Sequence, residues 1–409
     1  MRFALLCDDP LALPIVESLN SQVDGQRLTH AVRITPEADL LLHGLTDLRF
    51  VEHWEDLLVS KEIDAVIIGG MHPKILEGAK QIATAGIPIL FIPQSEQGST
   101  LAYELSLIHD DNQVLLWPLF WHRFDQGALR LKRAMSDGEL GQIQFLQLQR
   151  TIPILTPGTP ISQSQVDGEL LHDIDLPRWL AGDYDQVTGL RTAATSEGLQ
   201  MQSVVLAGRG LPESNWSISG SPGLAEWKLI VRGDLGVATL TRDGNSRRWI
   251  FESKQERVEG DRQQTAREAL SAFAHSLSLS REAVPATSSS ASSANVARGS
   301  LWGDLVKCFE TIDATHRSVR RRRTIELHFE PMSERAIFKT QMTAIGCALL
   351  VATFLLTLVY LGIASLIPLP GYALIGLRAL VFGPLVLFLL AQILLPLTRP
   401  SSAEKTSTR

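Results

Sequence analysis

The stretch that decides the fold is LLCDDPLAL, residues 5–13. An apolar run from Phe3 to Leu6 leads into a polar turn, and apolar residues then recur at Leu13, Val16 and Leu19 with helical spacing. A strand, a tight turn and a helix in that order open a nucleotide-binding βαβ unit, whose turn ordinarily carries G-x-G-x-x-G so that bare backbone can approach a pyrophosphate. Here the three glycine positions read Cys7, Asp9 and Ala12, and Asp8 adds a second carboxylate.

Working outward, residues 1–120 alternate short apolar runs with helical patterns. LTHAVRI (28–34), IDAVIIGG (63–70), IPILFIP (87–93) and QVLLWPL (113–119) read as strands. The runs near residues 66 and 89 are apolar on both faces, as strands between two helix layers must be. The alternation predicts a Rossmann-like doubly wound parallel sheet. Beyond residue 121 the period changes. FLQLQRT, QVTGLRT, MQSVVLAG, NWSISG, AEWKLIV, GVATLTR and RRWIFES alternate with period 2 between turn residues. They predict a second α+β domain over 121–330 with a large, open, mostly antiparallel sheet. Residues 283–299 are a Ser/Ala-rich segment read as a flexible loop. The helix LWGDLVKCFETIDATHRSV and the strand RTIELHF close this domain.

The C-terminus has another character. No charged residue occurs from Gln341 to Leu377 or from Ala379 to Thr398. A bilayer span takes roughly 20 apolar residues, so the stretch predicts a two-helix transmembrane hairpin over 341–398, with spans at 341–367 and 373–397 and PLPGY (368–372) as its turn. Residues 331–340 form a juxtamembrane segment and 399–409 a tail. Arg317, Arg320 to Arg323, Arg335 and Lys339 precede the hairpin, and Arg399, Lys405 and Arg409 follow it. The positive-inside rule then puts the body and both termini on the cytoplasmic side of the inner membrane. The SVRRRR cluster reads as a topogenic flank, or else as a contact with anionic lipid.

Composition narrows the alternatives. A net charge of −6 over 409 residues gives no reason to expect nucleic-acid binding. Cys7, Cys308 and Cys347 are too scattered for a disulfide framework or a zinc site. The N-terminus is too short in apolar residues before Asp8 for a signal peptide.

IDAVIIGG (63–70), AGIPIL (85–90), RFDQGALRLKRAMSDGELGQIQFLQ (123–147), HDIDLPRWLAGDYDQVTG (172–189) and WGDLVKCFE (302–310) together resemble the Gfo/Idh/MocA oxidoreductases over roughly residues 1–330. FKTQMTAIGCALL (338–350) looks like the start of a membrane anchor appended to some members. The resemblance implies a cofactor, NAD or NADP, on the first turn. The candidate cofactor positions are Cys7, Asp8, Asp9 and Ala12, with Arg33 and Thr35 where an acidic residue gripping ribose is expected. It also implies a lysine after the fourth strand, where this chain has Ile92-Pro93-Gln94 with Glu96 and Gln97 nearby, and nothing places Lys74 or Lys132 in the cleft. A catalytic Asp four residues before a His is implied last. His172 fits that His, and Gly168 stands at the Asp position, flanked by Asp167 and Glu169. Asp173 and Asp175 are read as bridges to neighbouring backbone, and Arg123 as either a cleft residue or an interdomain pair.

With the glycines, the ribose acid and the lysine all replaced, the chain reads as a degenerate oxidoreductase fold acting as a binding or scaffold protein, its cofactor either NAD or NADP or none. The alternative is an active NAD(P)-dependent enzyme on a sugar or polyol with atypical cofactor binding. The open sheet suits a homo-oligomer in either case, and the small-molecule ligand or protein partner is left open.

Overall fold

The computed structural model describes residues 1–328 and 351–357, apart from 22–24, 36–41, 43–47, 155, 157–158, 196–197, 224, 245–247, 263 and 283–301. The loop expected at 283–299, the juxtamembrane segment and the tail lie outside the described residues. So does the hairpin, apart from a helical piece at 351–357. No helix among the described residues is long and apolar enough to cross a membrane. The chain divides into two compact units, Met1–Phe329 and Glu330–Arg409.

The first unit opens with β1 (Arg2–Cys7), a 3₁₀ turn at Pro10–Ala12, α1 (Leu13–Asn20), β2 (Arg27–Val32), β3 (Arg49–Val51), α2 (Asp56–Val59), β4 (Ala65–Gly69) and α3 (Pro73–Thr84). It continues through β5 (Ile89–Ile92), a 3₁₀ turn at Ser95–Gln97, α4 (Gly98–Asn112) and β6 (Leu116–Pro118). These strands form one sheet in the order β3-β2-β1-β4-β5-β6, and every pairing in it is parallel. Every residue of β4 and β5 is buried, as expected for strands covered on both faces.

A 3₁₀ turn at Trp121–Phe124 and α5 (Gln126–Ser136) lead into the second sheet through β7 (Ile143–Ile154), α6 (Gln163–Ala181), β8 (Gln186–Thr195), β9 (Gly198–Ala207) and β10 (Glu213–Pro222). There follow β11 (Glu226–Gly233), β12 (Val237–Asp243), β13 (Arg248–Glu252), β14 (Arg257–Asp261), α7 (Thr265–Glu282), α8 (Trp302–Arg321) and β15 (Ile325–Glu326). The nine strands run β14-β13-β12-β11-β7-β10-β9-β8-β15. β7 and β10 pair in parallel and the rest antiparallel. One face packs under helices through Leu148, Trp216, Trp227, Leu229 and Phe251. Gly189 lets α8 approach β8, since a Cβ there would sit 2.8 Å from Val319. The other face carries Gln147, Gln149, Ser217 and Thr241, interspersed with Ile230 and the exposed Leu190 and Met201.

Two helices that follow the second sheet in sequence return to the first. Phe273 of α7 packs 6.0 Å from Phe3 and 5.6 Å from Trp117, and Ala266, Ala269 and Leu270 join the same core. Trp302 of α8 donates to the Ala102 carbonyl at 2.8 Å and meets Phe91 edge-on. Residues 1–120 and the described residues from 121 to 328 therefore share cores inside one compact unit.

Candidate functional site

At the β1–α1 turn, the fate of each backbone donor can be followed. Asp9 N donates to Cys7 Sγ at 3.3 Å. Leu11 N donates to the Asp9 side chain at 2.9 Å, and Ala12 N to the Asp9 carbonyl at 3.0 Å. Leu13 N donates to the Pro10 carbonyl. Pro10 and Pro14 have no N–H to give. From residue 9 to residue 14 every donor is therefore used within the turn or missing. The helix start that would receive a pyrophosphate is capped instead by a carboxylate of the chain itself.

That carboxylate is buried. Burial raises its pKa, the Leu11 N–H and the Gln94 side chain lower it, and Asp8 and Glu96 raise it again. Burial pushes the Cys7 thiol up as well. Gly70 at the end of β4 has φ +122°, and a Cβ there would lie 1.7 Å from Asp8 Oδ1, so the Asp8 carboxylate rests directly on glycine backbone. Ala12 is fully buried in the core beneath. Arg33, just after β2, is exposed and stacks 4.0 Å over the Phe50 ring. The first turn thus does not fit a dinucleotide pyrophosphate.

Beyond β5 the chain passes through the buried Pro93 into a closed turn. Gln94 N donates to Gln97 Oε1 at 2.9 Å, and Gln97 Nε2 donates to the Gly70 carbonyl at 3.1 Å. Two glutamines thereby tie the ends of β4 and β5 together where the resemblance implies an ammonium. Glu96 is exposed and accepts from Ser95 Oγ at 2.9 Å. Lys132 is engaged elsewhere. Its Nζ donates to the Trp179 carbonyl at 3.1 Å and lies 3.7 Å over the Trp179 ring, and burial lowers its pKa to about 8.

α6 starts at Ser162, whose hydroxyl accepts from Gln165 N in a capping box. Asp167 and His172 are five residues apart, on different sides of this helix, and the structure does not bring them together. Asp167 accepts from Gln163 at 2.8 Å and pairs with His316 Nε2 at 2.8 Å. The His172 Nδ1 is buried with no hydrogen-bond partner, and burial lowers the ring's pKa to about 4. Glu169 pairs with Arg150 at 2.8 Å. At Gly168 a Cβ would meet only Ser95 Oγ, at 3.9 Å, so the position has room for the missing carboxylate.

The strongest electrostatic feature is one that the sequence does not announce. Asp173 is fully buried. Its Oδ1 accepts from His122 Nε2 at 3.0 Å, Arg150 Nη2 at 2.7 Å and Trp227 Nε1 at 2.9 Å. Its Oδ2 accepts from Arg150 Nε at 2.8 Å and Trp216 Nε1 at 2.9 Å. Burial opposes the charge, but Arg150 and His122 outweigh it and hold the carboxyl well below the usual range. Asp175 takes Arg123 in a two-bond pair at 2.7 and 2.6 Å, and Arg123 also reaches Asp304 at 2.8 Å. Both acids therefore bind side chains, correcting the expectation of backbone bridges. With both oxygens saturated and its proton affinity depressed, Asp173 serves to bolt α6 to the sheet and is a poor general base.

No protein-family model matches the chain. It is 30% identical over 137 residues to the myo-inositol dehydrogenase Hyg17 of Streptomyces leeuwenhoekii, which covers 31% of this chain and 39% of that protein. It is 28% identical over 129 residues to inositol 2-dehydrogenase 2 of Saccharopolyspora erythraea, covering 31% and 37%. The match thus spans about two fifths of either curated relative. Among solved structures, a Corynebacterium glutamicum myo-inositol dehydrogenase superposes with TM-score 0.62 at 17% identity, over 80% of this chain and 99% of that one. An Agrobacterium radiobacter oxidoreductase in complex with NAD+, L-tartaric acid and magnesium gives TM-score 0.63 at 13% identity, over 80% and 98%. The chain shares the fold of these myo-inositol dehydrogenase structures, a Rossmann-like parallel sheet followed by a larger, mostly antiparallel one.

Proposed function

We propose that this chain is a catalytically degenerate oxidoreductase fold, held at the inner membrane by a C-terminal hairpin with its body and both ends in the cytoplasm, and used for binding rather than turnover. The observation that carries the reading is the first turn, where Asp9 caps the helix and no backbone donor from residue 9 to residue 14 is left for phosphate. Pro93 at the lysine position and the parting of Asp167 from His172 support it. The mixed polar and apolar face of the nine-stranded sheet is the surface we assign to a second copy or a protein partner.

Titration of NAD(H) and NADP(H) against the protein, followed by calorimetry or nicotinamide fluorescence, tests this. The expected result is no saturable binding below about 1 mM. Micromolar binding would overturn the reading and favour the alternative, an active dehydrogenase on a polyol. The likeness to inositol dehydrogenases supports that alternative, which requires the cofactor to be held elsewhere than on the first helix.

A further inference from the structure

The end of α8 carries a dense cluster of exposed basic residues. Arg317, Arg320 and Arg321 lie on its last turns, Arg322 ends it with φ +51°, and Arg323 follows. All five are exposed, and none makes an ion pair among the described residues. Arg317 Nε reaches only the Asp313 carbonyl, at 3.4 Å. The carboxylates next along the chain are Asp313 and Glu326, and Glu326 sits 3.6 Å from His328.

The base of this cluster is built rather than loose. The buried Ser318 hydroxyl accepts from Gly189 N at 2.9 Å and donates to the Arg323 carbonyl at 2.6 Å. Thr324 Oγ1 lies 2.8 Å from Thr188 Oγ1, and β15 then pairs with β8. Five guanidinium groups are thus displayed from a fixed turn, Arg317 alone of them within electrostatic reach of Glu310, shortly before the uncharged stretch that begins at Gln341.

We propose that this arginine-bearing end of the Met1–Phe329 unit docks on the headgroups of an anionic bilayer. Guanidinium matches phosphate oxygens in two-bond geometry, and basic residues beside an anionic leaflet attract it additively and in a salt-dependent way. The inference rests on the tether reading, because an anchor in the same bilayer makes the encounter intramolecular.

The test is hydrogen exchange of peptides spanning residues 313–328, with the full chain in phosphatidylglycerol or phosphatidylcholine nanodiscs. Alkaline carbonate extraction of membranes holding the chain reports the anchor separately. Exchange at least threefold slower in phosphatidylglycerol, reversed by 0.5 M salt and absent in a variant with Arg320, Arg321, Arg322 and Arg323 all changed to Gln, is the result expected. Equal exchange in the two lipids from a carbonate-resistant chain overturns the docking and leaves the anchor standing. Exchange slowed equally in both lipids relative to the chain in detergent puts the arginines against protein and also overturns it. A chain released by carbonate refutes the anchor. Docking is then judged by flotation with phosphatidylglycerol vesicles, where flotation lost in the Gln variant sustains it and no flotation overturns it.

Discussion

The Asp9 carboxylate accepts the Leu11 backbone N–H at 2.9 Å, so the donor best placed to meet a phosphate is neutralised by the residue two positions before it. Replacing Cys7, Asp9 and Ala12 with glycine removes that acceptor and restores bare backbone. It leaves Pro10, which supplies no donor, and it removes a side-chain cap, which glycine replaces at a cost of only a few tenths of a kcal/mol in stability. The triple variant should therefore gain weak NAD(P) binding, and adding Pro10→Ala should strengthen it about tenfold, or about 1.4 kcal/mol. Calorimetric titration of both variants checks this. Equal affinities would show that Pro10 does not matter.

A second prediction concerns acid stability. Arg242 donates to His122 Nδ1 at 2.7 Å while His122 Nε2 donates to Asp173, so the buried imidazole is held neutral. Burial first and Arg242 second lower its pKa to about 4, against Asp173, which raises it. Unfolded His122 takes a proton near pH 6.5, whereas the folded residue resists it down to about pH 4. Its contribution is thus complete above pH 6.5 and lost as pH falls toward 4, amounting to about 2 kcal/mol by pH 4.5. Urea midpoints at pH 7 and pH 4.5 should fall more for the parent than for His122→Gln, whose amide can make both hydrogen bonds without titrating.

A third prediction separates the Met1–Phe329 unit from the C-terminal segment. Every buried apolar residue among the described residues lies between Phe3 and Leu327. A chain ending at Phe329 should remain monodisperse in size exclusion and unfold cooperatively on heating. Aggregation of the shortened chain, beside a well-behaved full chain in detergent, would make the C-terminal segment part of the fold.

The parallel sheet was legible because β4 and β5 are apolar on both faces, which only a strand between two layers can tolerate. The second sheet was legible from its period of 2. β3 and β14 escaped notice: one has three residues, and the other, RVEGD, is almost wholly polar. α7 was also missed, although Ala266, Ala269, Leu270 and Phe273 have helical spacing, because serines and alanines dilute its apolar stripe. The Asp173 cluster could not be read at all. Its partners His122, Arg150, Trp216 and Trp227 come from four distant elements, and spacing along α6 reveals only which way an acid faces.

The last prediction sets two acids of α6 against each other. Asp173 has no exposure and five donors, so Asp173→Asn takes the carboxylate charge away from the buried Arg150, which keeps only the half-exposed Glu169, and leaves the donors of His122, Trp216 and Trp227 facing a neutral amide. Breaking such a buried pair costs about 3–5 kcal/mol. Asp167 pairs with the exposed His316, a contact of the kind usually worth less than about 1 kcal/mol. Asp167 raises the pKa of His316, so that small contribution is present in acid and fades as pH rises through neutrality. Denaturant titration at pH 6 should therefore show a large loss for Asp173→Asn and a slight one for Asp167→Asn, the latter vanishing by pH 8. Comparable losses would mean that Asp173 is not the bolt between α6 and the sheet. An unchanged Asp173→Asn would reopen the buried carboxylate to a role in chemistry.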